Sequence, residues 1–418
     1  MLDISKDTIC KMAKRVYIVD EHISSKQNGV GSFMAMLLSC LTDANISVNL
    51  ISYNEETKDF CIKEKDGYRL YCMPVYGLGQ GTFPQNCTVS LSLLRLYIPD
   101  HQDNIFFVSH SPCVEFLKLL KSLFPKSKRV FAIHDQGWTA PLLGNQEKLK
   151  EVMAMKYLPV RKKAEYFHIR KFTKNERKMY ALVHRVVCLN QSTYNLLQDV
   201  YSVPKEKISL IPNGFSIGSE RRADRKELRK KLGVLPNEIV LLFTGRMVKA
   251  KGIFELLDAF EKMWKGNRNL RLVIAGQVFN LNEYVSHTPE SATHVSYTGL
   301  VDKERISEWY TAADIGILPS YTEQCSYTAL EMMAHRLPVI TTDGNGLRDI
   351  FIDKESAIII PANPESLAED LVKSVKQMLN LSPEQQEDMV NRAYERVSTE
   401  YTIGNMKSRY LELFNQLL

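Results

Sequence analysis

Short apolar runs recur along this chain at intervals that leave room for a helix between most neighbours, and that rhythm constrains its fold more than any other feature. Six runs lie in the first half, at 16–19, 48–51, 105–108, 130–133, 186–189 and 208–211. Six more follow at 239–244, 272–275, 295–298, 315–318, 339–341 and 357–360. Continuous apolar runs of this length suit strands that are buried on both faces. Spacers long enough for a helix permit right-handed crossovers between parallel strands. The pattern predicts an α/β protein whose parallel sheets are covered by helices.

A chain of 418 residues holds more than one such core. The joint is readable near 215–238. The last strand-like run of the first half ends at Pro212-Asn213-Gly214, and the charged segment Glu220-Arg221-Arg222-Ala223-Asp224-Arg225-Lys226-Glu227 follows. That composition predicts an exposed linker leading into the first helix of a second domain. The expected division is 13–214, 215–400 and a terminal helix at 401–418, with Met406, Tyr410, Leu411, Leu413 and Phe414 near one face. No stretch approaches the ~18 apolar residues of a membrane span. Residues 1–14 lack the apolar core of a secretory leader. Eight cysteines, spread from Cys10 to Cys325 with no C-x-x-C pair, read as reduced thiols in a cytoplasmic protein. The net charge of +6 suits phosphorylated ligands or an anionic membrane face, and does not by itself imply nucleic acid.

Several turns that follow strand-like runs could carry chemistry. After 239–244, Gly245 lets the chain turn where open α/β sheets bind ligands. Arg246 can fork onto phosphate oxygens, and Lys251 adds charge near a helix start. A solvated basic loop is the plain alternative. After 315–318, Glu323 lies in a loop and Glu331 within the helix that begins near Ser326, so both can reach one cleft. Carboxylates there accept paired hydroxyls, although a helix-capping Glu323 and a solvated Glu331 fit as well. In Asp343-Gly344-Asn345-Gly346-Leu347, glycines permit close backbone approach and a short helix offers N–H groups at Gly346 and Leu347. An ordinary left-handed turn explains the glycines nearly as well.

In the first half, Lys26-Gln27-Asn28-Gly29-Val30-Gly31-Ser32 is a phosphate-type turn at Gly29 and Gly31, without full G-x-G-x-x-G spacing. His134 stands just beyond a strand, with Trp138 close enough in sequence to stack on a sugar face. His110 follows another strand in the same way. The glycines at 77–81 read as an ordinary loop. The basic stretch at 161–178, which includes Tyr166, Phe167, Ile169 and Phe172, suits either a long solvated helix or a helix lying on an anionic membrane.

Taken in order, these segments resemble the retaining glycosyltransferases of family four, the group 1 transferases. The resemblance spans nearly the whole chain. It rests on Gly245-Arg246 with Lys251-Gly252, Leu272-Val273-Ile274-Ala275-Gly276, Tyr297-Thr298-Gly299, Ala312-Ala313-Asp314, Pro319-Ser320, the E-x7-E pair Glu323 and Glu331, Leu337-Pro338-Val339-Ile340, and Ile360-Pro361. Gly29-Val30-Gly31, His134-Asp135 and Ile211-Pro212-Asn213-Gly214 add to it. The tracts 24–29 and 323–327 also look like a Bacteroidetes subgroup found with peptide-modifying radical enzymes.

The resemblance implies a GT-B fold of two Rossmann-like domains across a cleft, with the C-terminal helix crossing back to the first domain. It implies transfer of a hexose-type sugar from a nucleoside-diphosphate sugar, expected to be a UDP-sugar, with retention and with no metal or other cofactor. Arg246 and Lys251 would hold the diphosphate, Glu331 the ribose and Glu323 the sugar. Gly29 and Gly31 would admit the donor, with Gly346 and Leu347 also against it. His134 would lie beside the anomeric centre, and backbone around Leu300 would hold the base. No D-x-D, the metal–diphosphate motif of the other main glycosyltransferase fold, occurs. The acceptor class stays open among glycan, lipid-linked sugar and peptide, with peripheral membrane contact and no nucleic acid partner in view. Two departures bear on sugar identity. Gln324-Cys325-Ser326 replaces the usual glycines after the first Glu, and His335-Arg336 stands where Gly is common. An epimerase or hydrolase of the same fold, and a non-catalytic nucleotide-sugar-binding protein, are the alternative functions.

Overall fold

The computed structural model describes residues 14–20, 29–42, 46–53, 59–65, 67–74, 83–109, 114–218, 224–278 and 280–417. The turn residues 26–28, the glycines at 77–81, His110 and residues 220–223 of the charged segment lie outside the described residues.

The first half forms an eight-stranded sheet. Its strands are Arg15–Asp20 (β1), Ser47–Ser52 (β2), Cys61–Lys65 (β3), Tyr68–Cys72 (β4), Asn104–Ser109 (β5), Lys128–Ala132 (β6), Arg185–Cys188 (β7) and Ile208–Leu210 (β8). They lie in the order β3-β4-β2-β1-β5-β6-β7-β8, and only β3 and β4 pair antiparallel. Helices Gly29–Thr42 (α1), Phe83–Tyr97 (α2), Val114–Leu123 (α3), Gln146–Ala154 (α4), Lys163–Leu182 (α5) and Gln191–Asp199 (α6) connect the strands. Strand β5 shows why both faces need cover. Ile105 and Phe107 enter one hydrophobic cluster, Phe106 and Val108 the other, as period-two alternation requires. In α1, Phe33, Leu37 and Cys40 repeat at helical spacing and face the first cluster.

Strands β3 and β4 are not announced by apolar runs. Strand β3 is Cys-Ile-Lys-Glu-Lys, lies at the edge and exposes most of its side chains. Charge on an edge strand discourages pairing with other chains. The signal in the sequence is Asp66-Gly67, a hairpin-type dipeptide.

The second half contains Arg225–Lys231 (α7), Ile239–Thr244 (β9), Ile253–Gly266 (α8), Leu270–Ala275 (β10), Leu281–Ser286 (α9), Val295–Gly299 (β11), Lys303–Ala312 (α10) and Ile315–Leu318 (β12). Tyr327–Ala334 (α11), Val339–Thr342 (β13), Leu347–Ile350 (α12), Ile358–Ile360 (β14), Leu367–Leu379 (α13), Pro383–Thr399 (α14) and Ile403–Gln416 (α15) complete it. The sheet is parallel throughout, in the order β11-β10-β9-β12-β13-β14. The described part of the expected linker, Asp224–Glu227, is exposed and opens α7. Arg225 and Arg229 of α7 both reach the Asp314 carboxylate, at 2.6 and 3.0 Å, which anchors α7 to the second sheet. The terminal helix α15 returns to the first domain, where Tyr410 lies 5.6 Å from Phe107 and 6.4 Å from Phe33 between ring centroids. Among the described residues no helix is long and apolar enough to cross a membrane.

Candidate functional site

Each sheet reverses its direction of growth once. In the first, the chain steps from β1 to β2 on one side and later to β5 on the other. In the second, it steps from β9 to β10 and later to β12. The crevice outside the carboxyl ends of strands at such a switch is where open α/β sheets bind ligands. The two switches face each other. A Cβ built on Gly29, at the start of α1, would lie 3.9 Å from Cδ2 of Tyr327 at the start of α11.

On the second-domain side, Arg246 is exposed just past β9. Lys251 ends the short 3-10 turn Lys249–Lys251, which enters α8 through Gly252 at φ +67°. A Cβ on Gly252 would sit 2.1 Å from the Pro319 carbonyl oxygen, so only glycine lets the loop after β12 cross there. The Tyr321 N–H donates to the Ala250 carbonyl at 3.0 Å and ties the two loops together. That crossing brings the Lys251 ammonium into an ion pair with the Glu323 carboxylate, both side chains being largely shielded from water. Ser326 caps α11 by accepting from the Ala329 N–H, so Glu323 is not the cap.

Glu331 lies about one turn into α11 and is not a solvated face. It accepts a 2.7 Å hydrogen bond from Tyr310 Oη, which also contacts Thr244 Oγ1 at 3.1 Å. Burial pushes the Glu331 carboxyl above its ordinary value, and the Tyr310 hydrogen bond opposes that rise. Leu300 follows β11 at the same sheet edge and is 60% exposed. Among the described residues no three His, Cys, Asp or Glu side chains group as metal ligands.

Gly346 and Leu347 depart from expectation. The Leu347 side chain is fully buried, and its N–H donates to the Gly344 carbonyl at 3.0 Å, so it is not open to a ligand. Gly346, at φ +80°, lies against the Glu323 loop. A Cβ there would approach the Glu323 carbonyl oxygen to 2.5 Å. These residues brace that loop from behind.

On the first-domain side, His134 is half-buried two residues past β6, with its ring 4.3 Å from that of Phe33 in α1. It therefore shares the carboxyl edge with Gly29 and Gly31. Trp138 does not stack on anything outside. It is 1% exposed and packs in the first-domain core. Beneath His134, the buried Glu176 of α5 accepts from the Gly137 N–H at 2.8 Å and from Tyr201 Oη. Desolvation pushes the Glu176 carboxyl up, against the lowering effect of these two bonds. Sequence reasoning missed Glu176, since an acid within a Lys-rich helix reads as solvated.

It also missed a row of side-chain amides across the domain boundary. Asn190, which caps α6, donates to the Gln324 carbonyl at 2.8 Å, and Asn213 donates to the Cys325 carbonyl at 2.9 Å. Behind this row a cavity of about 280 Å³ opens between the domains, lined by Gln191, Cys325, Gly346, Asp349 and Tyr401 among others.

Comparison with known proteins gives these positions a family context. Residues 27–218 match the family model described as Glycosyltransferase Family 4, and residues 224–396 match that described as Glycosyl transferases group 1. The chain is 29% identical over 237 residues to the alpha-monoglucosyldiacylglycerol synthase of Streptococcus pneumoniae, covering 55% of this chain and 52% of that one. It is 24% identical over 222 residues to the lipopolysaccharide 1,2-N-acetylglucosaminetransferase of Salmonella typhimurium, covering 50% and 57%. The chain thus spans about half the length of the curated relatives it matches. Among solved structures, sucrose-phosphate synthase of Thermosynechococcus elongatus superposes with a TM-score of 0.75 at 17% identity, covering 97% of this chain and 99% of that one. The Anabaena protein HepE in complex with UDP-glucose gives a TM-score of 0.68 at 14% identity, covering 96% and 99%. At these identities the superpositions show a shared two-domain fold.

Proposed function

Because this chain belongs to the group 1 glycosyltransferases of family 4, we propose that it transfers a hexose-type sugar from a nucleoside-diphosphate sugar held between its two sheets. The observation that carries this reading is the Lys251–Glu323 ion pair at the meeting of the β9 and β12 loops. A cation suited to a departing diphosphate and a carboxylate suited to sugar hydroxyls stand side by side at a switch point. HepE, of the same fold, is seen with UDP-glucose, which favours a UDP-sugar here. Arg246 and Lys251 supply positive charge where the diphosphate would leave, so transfer needs no metal for that purpose. With departure and attack on the same face of the sugar, an oxocarbenium-like transition state would give retention.

Calorimetry with UDP and with UDP-glucose, in EDTA, tests the division of labour. Glu331→Ala is expected to weaken UDP by about 10- to 100-fold, the size of a lost charge-assisted hydrogen bond. Glu323→Ala should leave UDP nearly unchanged and erase the extra affinity for UDP-glucose. Equal losses in both titrations for both variants would sink the assignment, and a strict metal requirement would sink metal independence. Once an acceptor is in hand, proton NMR of the anomeric product decides retention.

We infer a peripheral contact with an anionic lipid surface on the first-domain rim. Tyr157, Val160, Phe167 and Phe172 are exposed there. Across 156–174, seven Lys and Arg stand against the single acid Glu165. Aromatics interleaved with cations suit a membrane interface. Phe172 packs against Gly137, three residues from His134, so this rim adjoins the acceptor side. Co-flotation with phosphatidylglycerol vesicles should exceed that with phosphatidylcholine and fall in salt and in a Phe167→Ser/Lys171→Glu variant. Equal flotation in all cases would remove the membrane reading.

A further inference from the structure

The loop that carries Glu323 is held from both domains: the Glu323 N–H donates to the Asn345 carbonyl of its own domain at 2.8 Å, and its carbonyls meet the other domain. Its carbonyls at 323, 324 and 325 point toward first-domain amides. Asn190 Nδ2 lies 2.8 Å from the Gln324 oxygen and 3.4 Å from the Glu323 oxygen, and Asn213 Nδ2 lies 2.9 Å from the Cys325 oxygen. The Gln324 side chain turns the same way, accepting from Thr193 Oγ1 at 3.1 Å and Asn190 Nδ2 at 3.3 Å. Asn190, Thr193 and Asn213 are all less than 5% exposed, so the donors are held out of water even where the acceptors are only partly covered. On its other side the loop meets Gly346, whose lack of a side chain admits the Glu323 and Gln324 carbonyls. The loop is thus clamped between Gly346 of its own domain and the amides of the other.

We propose that Asn190 and Asn213 are positioning residues for Glu323, so that the second domain presents this carboxylate to a donor sugar only while the first domain holds the loop. The inference rests on reading Glu323 as the sugar-facing carboxylate. It also assigns Gln324 to the domain contact and not to the sugar. Without the amides, the buried Cys325 carbonyl and the partly buried carbonyls at 323 and 324 lose these donors, and the loop relaxes toward partners of its own or toward water. UDP alone, held by Arg246 and Glu331, does not depend on the clamp.

Asn190 has two jobs that substitution can separate. Its Oδ1 caps α6 by accepting from the Thr193 N–H at 2.7 Å, while its Nδ2 holds the loop. Asp and Ser are both good helix caps, and neither offers an amide donor. In full-length Asn190→Asp and Asn190→Ser, α6 should keep its protection from hydrogen exchange while amides at 323–326 exchange faster without any ligand. UDP-glucose should bind about tenfold more weakly, the factor of a typical lost hydrogen bond, with UDP affinity retained. Unchanged exchange at 323–326, or equal weakening of UDP and UDP-glucose, would overturn the proposal. A wild-type chain that binds UDP-glucose no tighter than UDP would overturn the sugar-facing role of Glu323 and the clamp's purpose with it. A discriminating wild type beside an equally discriminating Asn190→Asp would overturn the clamp alone.

Discussion

Lys251→Ala is expected to slow transfer by about 10²–10³-fold, the loss seen when one preorganised group that stabilises developing charge is removed. Two effects add. The departing diphosphate loses the cation nearest the sugar-facing carboxylate. Glu323, shielded from water and paired with Lys251, is left as an uncompensated negative charge facing an anionic donor. Lys251→Arg should recover part of the activity, because the charge returns with a different reach and geometry. Adding Glu323→Gln to Lys251→Ala should cost less than the product of the single losses, since the neutral amide no longer repels the diphosphate. Turnover of UDP-sugar, measured alongside calorimetric UDP affinity, checks this. Turnover within about threefold of wild type in Lys251→Ala would place the charge stabilisation elsewhere.

Glu176→Ala should be the most damaging of the single changes to stability, at about 2–4 kcal/mol. It removes the carboxylate that accepts from the partly buried Gly137 N–H and from the buried Tyr201 hydroxyl, each lost bond worth about 1–3 kcal/mol. Glu176→Gln keeps both bonds in a neutral group, with Oε1 accepting from Gly137 and the amide donating to Tyr201. It should remain close to wild type and change the pH response. Burial raises the Glu176 carboxyl above its ordinary value. Between the unfolded and folded values the native state holds a proton that the unfolded chain releases. The protonated acid's contribution is therefore present below the unfolded value and is lost as pH rises through the folded one. Denaturant midpoints of wild type and Glu176→Gln, followed upward from the ordinary glutamate range, should converge at low pH and separate as it rises. Parallel curves would mean that Glu176 does not titrate in this interval.

Much of the fold was legible because parallel strands buried on both faces must be apolar along their length. The runs at 239–244 and 315–318 coincide with β9 and β12 end to end. The strands that escaped, β3 and β4, form the antiparallel edge pair, where one strand is largely exposed and its charges hide the pattern. The terminal helix was visible through its apolar face, and its return to the first domain came from the resemblance. Placement of Arg246, Lys251, Glu323 and Glu331 along one sheet edge was legible for a topological reason, while Leu300 came from the resemblance. Each follows the carboxyl end of a strand, and parallel strands put those ends on one side.

Burial and pairing were not legible. Nothing local distinguishes Trp138, which fills the core, from an exposed aromatic beside His134. Nor does spacing reveal that the Leu347 N–H is spent on a turn, or that Glu176 lies under the His134 loop while its neighbours in α5 face solvent. Asn190 and Gln324 are 134 residues apart and meet only because the two sheets pack with their switch points opposed. Periodicity, and with it which segments become strands and helices and which residues stand at strand ends, is written locally, because it follows from side-chain alternation over a few residues. Tertiary structure alone decided which polar groups lose water and which partner each then takes, because desolvation depends on what long-range packing lays over a residue.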